Sequence, residues 1–352
     1  MRIFHSPTHR LHSPPWYVAD GTVRPCPDDP DRVDRVLNAL ALIPGAEFLT
    51  AEHVDPFPAL RAIHTDDYLD YARTIHPLWV AEFGPDAVVT PDTFPRRMPG
   101  TRRPSKPSAQ AGYYCFDMAA PMVAGTYEAA LASARCAVAA AETLFETSLP
   151  PHQRVSYALC RPPGHHAGPD YCGGFCFFNN AAAAAQRLLL GGMKRVAILD
   201  VDYHHGNGTQ DIFYERDDVF FVSIHADPHT QYPYFWGHAD ERGSGDGENA
   251  NRNYPLPRGT SESQWLATVG RATANVAAWG PDALVVSLGV DTSAHDTVGD
   301  FQLTDHGFAE IGRLLARTRL PTAFIQEGGY NLEAIGPAVT AVLHAYNETI
   351  VL

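Results

Sequence analysis

Two stretches of this sequence concentrate side chains that bind metals and move protons. RPPGHHAG carries His165 and His166, and DVDYHHGNGTQD carries Asp200, Asp202, His204 and His205. Asp291 in VSLGVDT and Tyr330 in EGGYN belong with them. Carboxylate oxygens and imidazole nitrogen without thiolate suit zinc, and equally iron(II), cobalt(II) or manganese(II). Asp200, Asp202 and His204 alternate, so on an extended chain they point to one side and two or three can converge on one ion. A carboxylate and an imidazole from this stretch, with Asp291, make a three-ligand site with a position left for water, which is the habit of a catalytic metal. Pro162, Pro163, Gly164, Gly168, Gly173 and Gly174 surround the His165–His166 pair with a rigid, close-approach loop, suited to general base and acid work beside that water. Tyr330, behind two glycines, can offer a phenol to an oxygen that turns negative in a tetrahedral intermediate.

These groups follow segments that read as strands, at residues 155–160, 195–201, 283–289 and 322–326. A fifth strand is expected at 219–225. Helical spacing appears at 31–43, in the alanine-rich run 127–146, near 180–190, at 305–317 and at 332–346. Ser261 and Gln264 have the spacing of a capping box that opens a helix running to Trp279. Strands alternating with helices imply a parallel sheet covered on both faces, with ligands bound beyond the carboxyl ends of the strands. No linker divides the 352 residues, so one domain over 1–352 is expected, with a long loop insertion near 91–112.

Hydrophobic residues at 45% can fill a large core, and 26 Lys+Arg against 40 Asp+Glu give a net charge of −14. That balance disfavours nucleic acid as a partner and leans toward cationic ligands. Six cysteines form no C-x-x-C pair, which argues against a disulfide framework or thiolate zinc site and for small buried hydrophobes. No apolar run approaches the roughly 18 residues of a membrane span, and residues 1–10 lack a secretory pattern, so a cytoplasmic protein without membrane association is expected.

RPPGHHAG, GGFCFFNN, LDVDYHHGNGTQDIFY, VSLGVDT and EGGYN, in that order over 150–346, resemble the zinc-dependent histone deacetylase family of the arginase–deacetylase fold. HRLH, GYYCFD, GTYEAALASA and NYPLPRGT are similar to its bacterial acetylpolyamine amidohydrolase branch. The resemblance implies a three-layer αβα architecture with a mostly parallel sheet. It implies zinc, with Fe2+ or Co2+ as substitutes, on Asp202, His204 and Asp291. It makes His166 general base and acid, His165 its electrostatic partner and Tyr330 the oxyanion donor. Asp200 and Asn207 would orient His165 and His166; Asn stands where some members have Asp, which should leave His166 less polarised. Phe175, Tyr232 and Gly174 would line a narrow tunnel, with Tyr232 where Phe is usual and its hydroxyl in the wall. A structural potassium ion would sit at Asp200 and Ser223 with Asp202, His204 and Ile224.

The implied reaction is removal of acetyl groups from small linear amines by a homodimer. The alternative is a protein acetyl-lysine deacetylase, against which a long loop capping the tunnel would argue. TSAHD after Asp291 departs from the D-x-D-x-x-D arrangement that a second metal of the arginase kind requires. Between residues 93 and 116, Arg96, Arg97, Arg102, Arg103 and Lys106 stand without any acid, so this loop is expected to repel a polyamine unless its charges pair elsewhere.

Overall fold

The computed structural model describes residues 1–95 and 100–351. Its strands are β1 (Arg2–Phe4), β2 (Tyr17–Ala19), β3 (Thr22–Arg24), β4 (Glu47–Leu49), β5 (Val155–Ala158), β6 (Val196–Asp200), β7 (Val219–Ala226), β8 (Asn251–Leu256), β9 (Ala283–Leu288) and β10 (Thr322–Gln326). The helices are α1 (Asp31–Leu40), α2 (Phe57–Ile63), α3 (Asp66–Phe83), α4 (Pro107–Tyr114), α5 (Thr126–Glu142), α6 (Asn180–Leu190), α7 (Asn207–Phe213), α8 (Glu262–Trp279), α9 (Asp305–Ala316) and α10 (Ile335–Val351). Eight strands form one sheet in the order β4-β1-β5-β10-β9-β6-β7-β8, and every pairing in it is parallel, so "mostly parallel" understated the case. β2 and β3 form a separate antiparallel hairpin.

The strands are buried on both faces, as a parallel sheet between helices requires. In β6, Val196 and Ile198 pack into the core shared with α5 and α6, whereas Ala197 and Leu199 pack into the opposite core with α8, α9 and α10. Alanine is abundant where α5 meets α6: Ala181 to Ala185 are all fully buried, and small side chains let the two helices lie close together. The expected capping box at Ser261 and Gln264 is present, and α8 ends in the left-handed Gly280.

Elements missed in the sequence lie mainly in the first third and at the sheet edge. Helix α3 runs for 18 residues through Pro77, held by the Thr65 cap and by a buried stripe of Tyr68, Tyr71, Ala72, Ile75 and Trp79. β8 contains Pro255, which an edge strand tolerates because no neighbour needs its missing N–H. Boundaries also shift: α1 ends at Leu40 rather than 43, and α10 begins three residues late, at Ile335. Part of the 91–112 loop folds as α4, and Arg96 and Arg97 lie outside the described residues. Five cysteines are buried and Cys26 is half-buried; none is disulfide-bonded. Among the described residues no helix is long and apolar enough to cross a membrane.

The topology has one consequence for chemistry. Strands β5, β10, β9 and β6 are consecutive neighbours in space although not in sequence. Their carboxyl ends therefore deliver His165 and His166, Tyr330, Asp291 and Asp202 with His204 to one place.

Candidate active site

β6 ends at Asp200, and the chain then turns instead of continuing extended, which corrects the alternation argument. The Asp202 N–H donates to Asp200 Oδ1 (3.1 Å) and the His204 N–H to Asp202 Oδ1 (2.9 Å), so two successive side-chain-to-backbone turns aim these groups. Asp202 Oδ2 accepts from the Gly328 N–H at 2.8 Å, and Asp291 Oδ1 from the Tyr203 N–H at 2.8 Å. His204 Nδ1 then lies 3.2 Å from Asp202 Oδ1 and 3.0 Å from Asp291 Oδ2. Glycines make the approach possible: a Cβ on Gly289 would stand 2.0 Å from Asp202 Oδ2, and one on Gly328 would stand 2.6 Å from both carboxylates.

Three observations fit this cluster to a metal ion. One donor atom from each of Asp202, His204 and Asp291 lies within 4.8 Å of the others. Asp291 Oδ2 is buried and, although His204 Nδ1 stands 3.0 Å away, it accepts no well-aligned hydrogen bond. The charges also call for a cation: burial, with Asp202 adding repulsion, pushes Asp291 up to about 7. Burial opposes charge on His204 as well, but Asp202 and Asp291 outweigh it and lift the imidazole to about 9. A dication at these atoms would neutralise that surplus of negative charge.

The histidine pair is held from behind. Glu327 Oε2 accepts from the N–H groups of Gly164 (2.7 Å) and His165 (3.1 Å). His165 Nδ1 meets Asp200 Oδ2 at 3.0 Å, and His166 Nδ1 meets Asn207 Oδ1 at 2.7 Å. Oxygen acceptors at both Nδ1 atoms place the proton there and leave the His166 Nε2 as an acceptor. The two rings lie with centres 4.0 Å apart, and their surroundings push them in opposite directions. Burial works against charge on His165, yet Asp202 and Asp200 lift it to about 10. His166, beside a neutral amide, is driven well below the usual imidazole value by burial and then by His165 and His204. A cation beside a neutral base is the division of labour that proton abstraction needs.

Tyr330 is reached through Gly328 and Gly329, the latter at φ 126°, a conformation that favours glycine. Its N–H donates to Asp296 Oδ2 at 2.7 Å, and the Arg32 guanidinium lies 4.7 Å from its ring centre. Arg32 also donates to the carbonyls of Gly329 (2.6 Å) and Glu327 (2.7 Å) and pairs with buried Asp28. Burial raises the phenol well above 10, so Tyr330 keeps its proton and remains a donor.

Tyr330, His166, His204, Gly174, Phe175 and Tyr232 line one cavity of about 640 Å³. Phe175 packs on Tyr330 at 5.5 Å and on Tyr17 at 5.3 Å; Tyr232 packs edge-on to His166 at 5.0 Å. The Tyr232 hydroxyl donates to Asp117 Oδ2 at 2.6 Å. Asp200 and Ser223 face each other across β6 and β7, with Ile224 next in the strand, and the Ser223 hydroxyl meets His225 Nδ1 at 2.8 Å.

In the basic loop, two of the charges pair elsewhere. Arg103 pairs with Asp67 and Asp70, and Lys106 with Glu82, all on α3. Neither Arg103 nor Lys106 lines the cavity, whereas Phe116 at the end of the loop does. Sequence reasoning missed Arg32, Asp28, Asp117, Asp296 and Glu327. Glu327 carried a signal, as an acid at a strand end beside EGGY, and so did Arg32, next to the apolar stripe of α1.

Residues 26–346 match the profile of the histone deacetylase domain. The chain is 46% identical over 346 residues to acetylpolyamine amidohydrolase 1 of Pseudomonas aeruginosa, covering 97% of both proteins. To the acetylpolyamine amidohydrolase of Mycoplana ramosa it is 40% identical over 344 residues, covering 97% of this chain and 98% of the relative. The crystal structure of acetylpolyamine aminohydrolase from Burkholderia pseudomallei superimposes with a TM-score of 0.92 at 37% identity over 99% of each chain.

Proposed function

The chain belongs to the histone deacetylase family, and on that premise we propose that it is a metal-dependent amidohydrolase removing acetyl groups from small linear amines such as acetylpolyamines or acetylated diamines. The observation that carries the reading is one cavity lined by His166, Tyr330 and His204, with Asp202 and Asp291 against His204. We assign zinc as the ion on Asp202, His204 and Asp291. When bound, it would polarise the amide carbonyl and acidify a water molecule.

The residues of the chain do the rest. His166 Nε2 takes the proton from water and later returns it to the leaving amine. His165, charged and tied to Asp200, keeps His166 from drifting into the cationic form. Tyr330 donates to the oxyanion, and Arg32 and Asp296 fix the loop that presents it. Phe175 and Tyr232 enclose the alkyl chain of the amine. Potassium at Asp200, Ser223 and the neighbouring Asp202, His204 and Ile224, a homodimer and a cytoplasmic location complete the proposal by family resemblance.

The test is a panel of acetylcadaverine, acetylspermine and an acetyl-lysine peptide on enzyme of measured metal content. Hydrolysis of the two amines with one zinc ion per chain is expected. A clear preference for the peptide would overturn the substrate class in favour of a protein deacetylase.

A further inference from the structure

Asp117 is bonded to both aromatic walls of the cavity. Its Oδ2 accepts the Tyr232 hydroxyl (2.6 Å) and the Gly174 N–H (3.0 Å), and its Oδ1 accepts the Ala119 N–H (2.9 Å). The Phe175 N–H donates to the Ala119 carbonyl at 3.1 Å. Phe116 stacks on Tyr232 with ring centres 6.0 Å apart. Segment 116–119 therefore grips the Phe175 wall by accepting two of its backbone N–H groups, one on the Asp117 carboxylate and one on the Ala119 carbonyl, and the Tyr232 wall through a hydroxyl and a ring.

The grip matters because the Phe175 wall is strained. Phe175 has φ 66°, which a side chain of its size rarely adopts, directly after Gly174 at φ 50°. Such a conformation persists only where surrounding contacts over-determine it. Gly174 is also where the walls and the base meet: a Cβ there would stand 2.4 Å from the His166 ring and 2.7 Å from the Tyr232 hydroxyl oxygen. Small changes in wall spacing thus cannot be absorbed locally.

We propose that Asp117 is a positioning residue that clamps the Phe175 and Tyr232 walls at a fixed spacing and thereby sets the preference for unbranched amines. A competing role, pairing with a substrate ammonium, fits the geometry less well, because three donors already occupy the carboxylate. The inference rests on the amidohydrolase reading for its substrate.

The experiment uses metal-loaded enzyme and two pairs of ligands. One pair is N-acetyl-1,5-diaminopentane and its analogue with a methyl branch beside the amide, followed by kcat/KM. The other is a linear and a correspondingly branched alkyl hydroxamate without an ammonium group, followed by calorimetric binding. Tyr232→Phe and Asp117→Ala are each expected to shrink the linear-to-branched ratio by about five- to tenfold, the scale of the net contribution of one hydrogen bond. Because the hydroxyl acts through Asp117, the double variant should match Asp117→Ala alone. Asp117→Asn, which keeps an acceptor oxygen, should fall between the wild type and Asp117→Ala, and it serves if the alanine variant does not fold.

Unchanged ratios, or single effects that multiply in the double variant, would overturn the clamp. So would a loss confined to the ammonium-bearing pair. If the unaltered chain binds hydroxamates but hydrolyses neither amide, the amidohydrolase reading fails, and the binding ratios still decide the clamp.

Discussion

The floor and the rim of the cavity use the same kinds of charged residue in opposite ways. At the floor, Asp200, Asp202 and Asp291 are at most 1% exposed, and each accepts at least one backbone N–H. At the rim, Arg24 meets Asp20 across the β2–β3 hairpin, with side chains 46% and 67% exposed, and Arg258 meets Asp300. Charges fixed on strand ends in low dielectric act strongly and need no reorganisation, whereas exposed pairs are screened by water and salt. Chemistry therefore depends on the floor, and the rim adjusts encounter.

The sharpest way to break this contrast is to remove a floor ligand. His204→Ala should release the metal and reduce turnover to background, with metal analysis and activity falling together; retained metal would take His204 out of the ligand set. Tyr330→Phe should keep the metal and lower kcat by roughly 100-fold or more, the cost of losing one oxyanion donor. Equal kcat in the variant would remove Tyr330 from the reaction.

The pH profile probes the floor without changing its shape. Burial, His165 and His204 lower His166, so it stays neutral until the pH falls below the usual imidazole value of about 6.5. Protonation destroys the base, and kcat/KM should therefore drop about tenfold per unit only on the acid side of that value. An acid limb centred above 6.5 would contradict the environment described. Asn207→Asp sharpens the point: a carboxylate at Nδ1 stabilises the imidazolium, and the limb should move up by about one unit.

The floor was also the more legible region. His165, His166, Asp202, His204, Asp291 and Tyr330 all follow strands that periodicity can find, and a parallel sheet carries such ends to one edge. The manner of convergence was not legible, because the Asp200–Asp202 and Asp202–His204 turns are hydrogen-bonding choices that an alternating pattern hides. The hairpin part of the rim and its supports come from residues 1–120, where strands are three residues long and α3 contains a proline, so no period stands out. Arg32 and Asp117 escaped for another reason: each works by bonding to backbone atoms distant in sequence, which only the folded chain brings near.

The smallest expected effect lies on the hairpin. Arg24 is held by Asp20 at 3.1 Å, an exposed pair worth about 0–1 kcal/mol, so Arg24→Gln should barely alter stability. It does free a carboxylate beside the cavity mouth. A cationic amine would then meet attraction where it previously met a neutral pair, and because the site is exposed the gain appears in encounter rather than in the chemical step. KM for an acetylated diamine should fall by about two- to threefold at low salt with kcat unchanged, and the gain should fade by roughly 0.5 M salt as the screening length shrinks toward the contact distance. A larger, salt-resistant change would mean that Arg24 touches bound substrate, and the boundary between rim and floor would have to be drawn higher in the cavity.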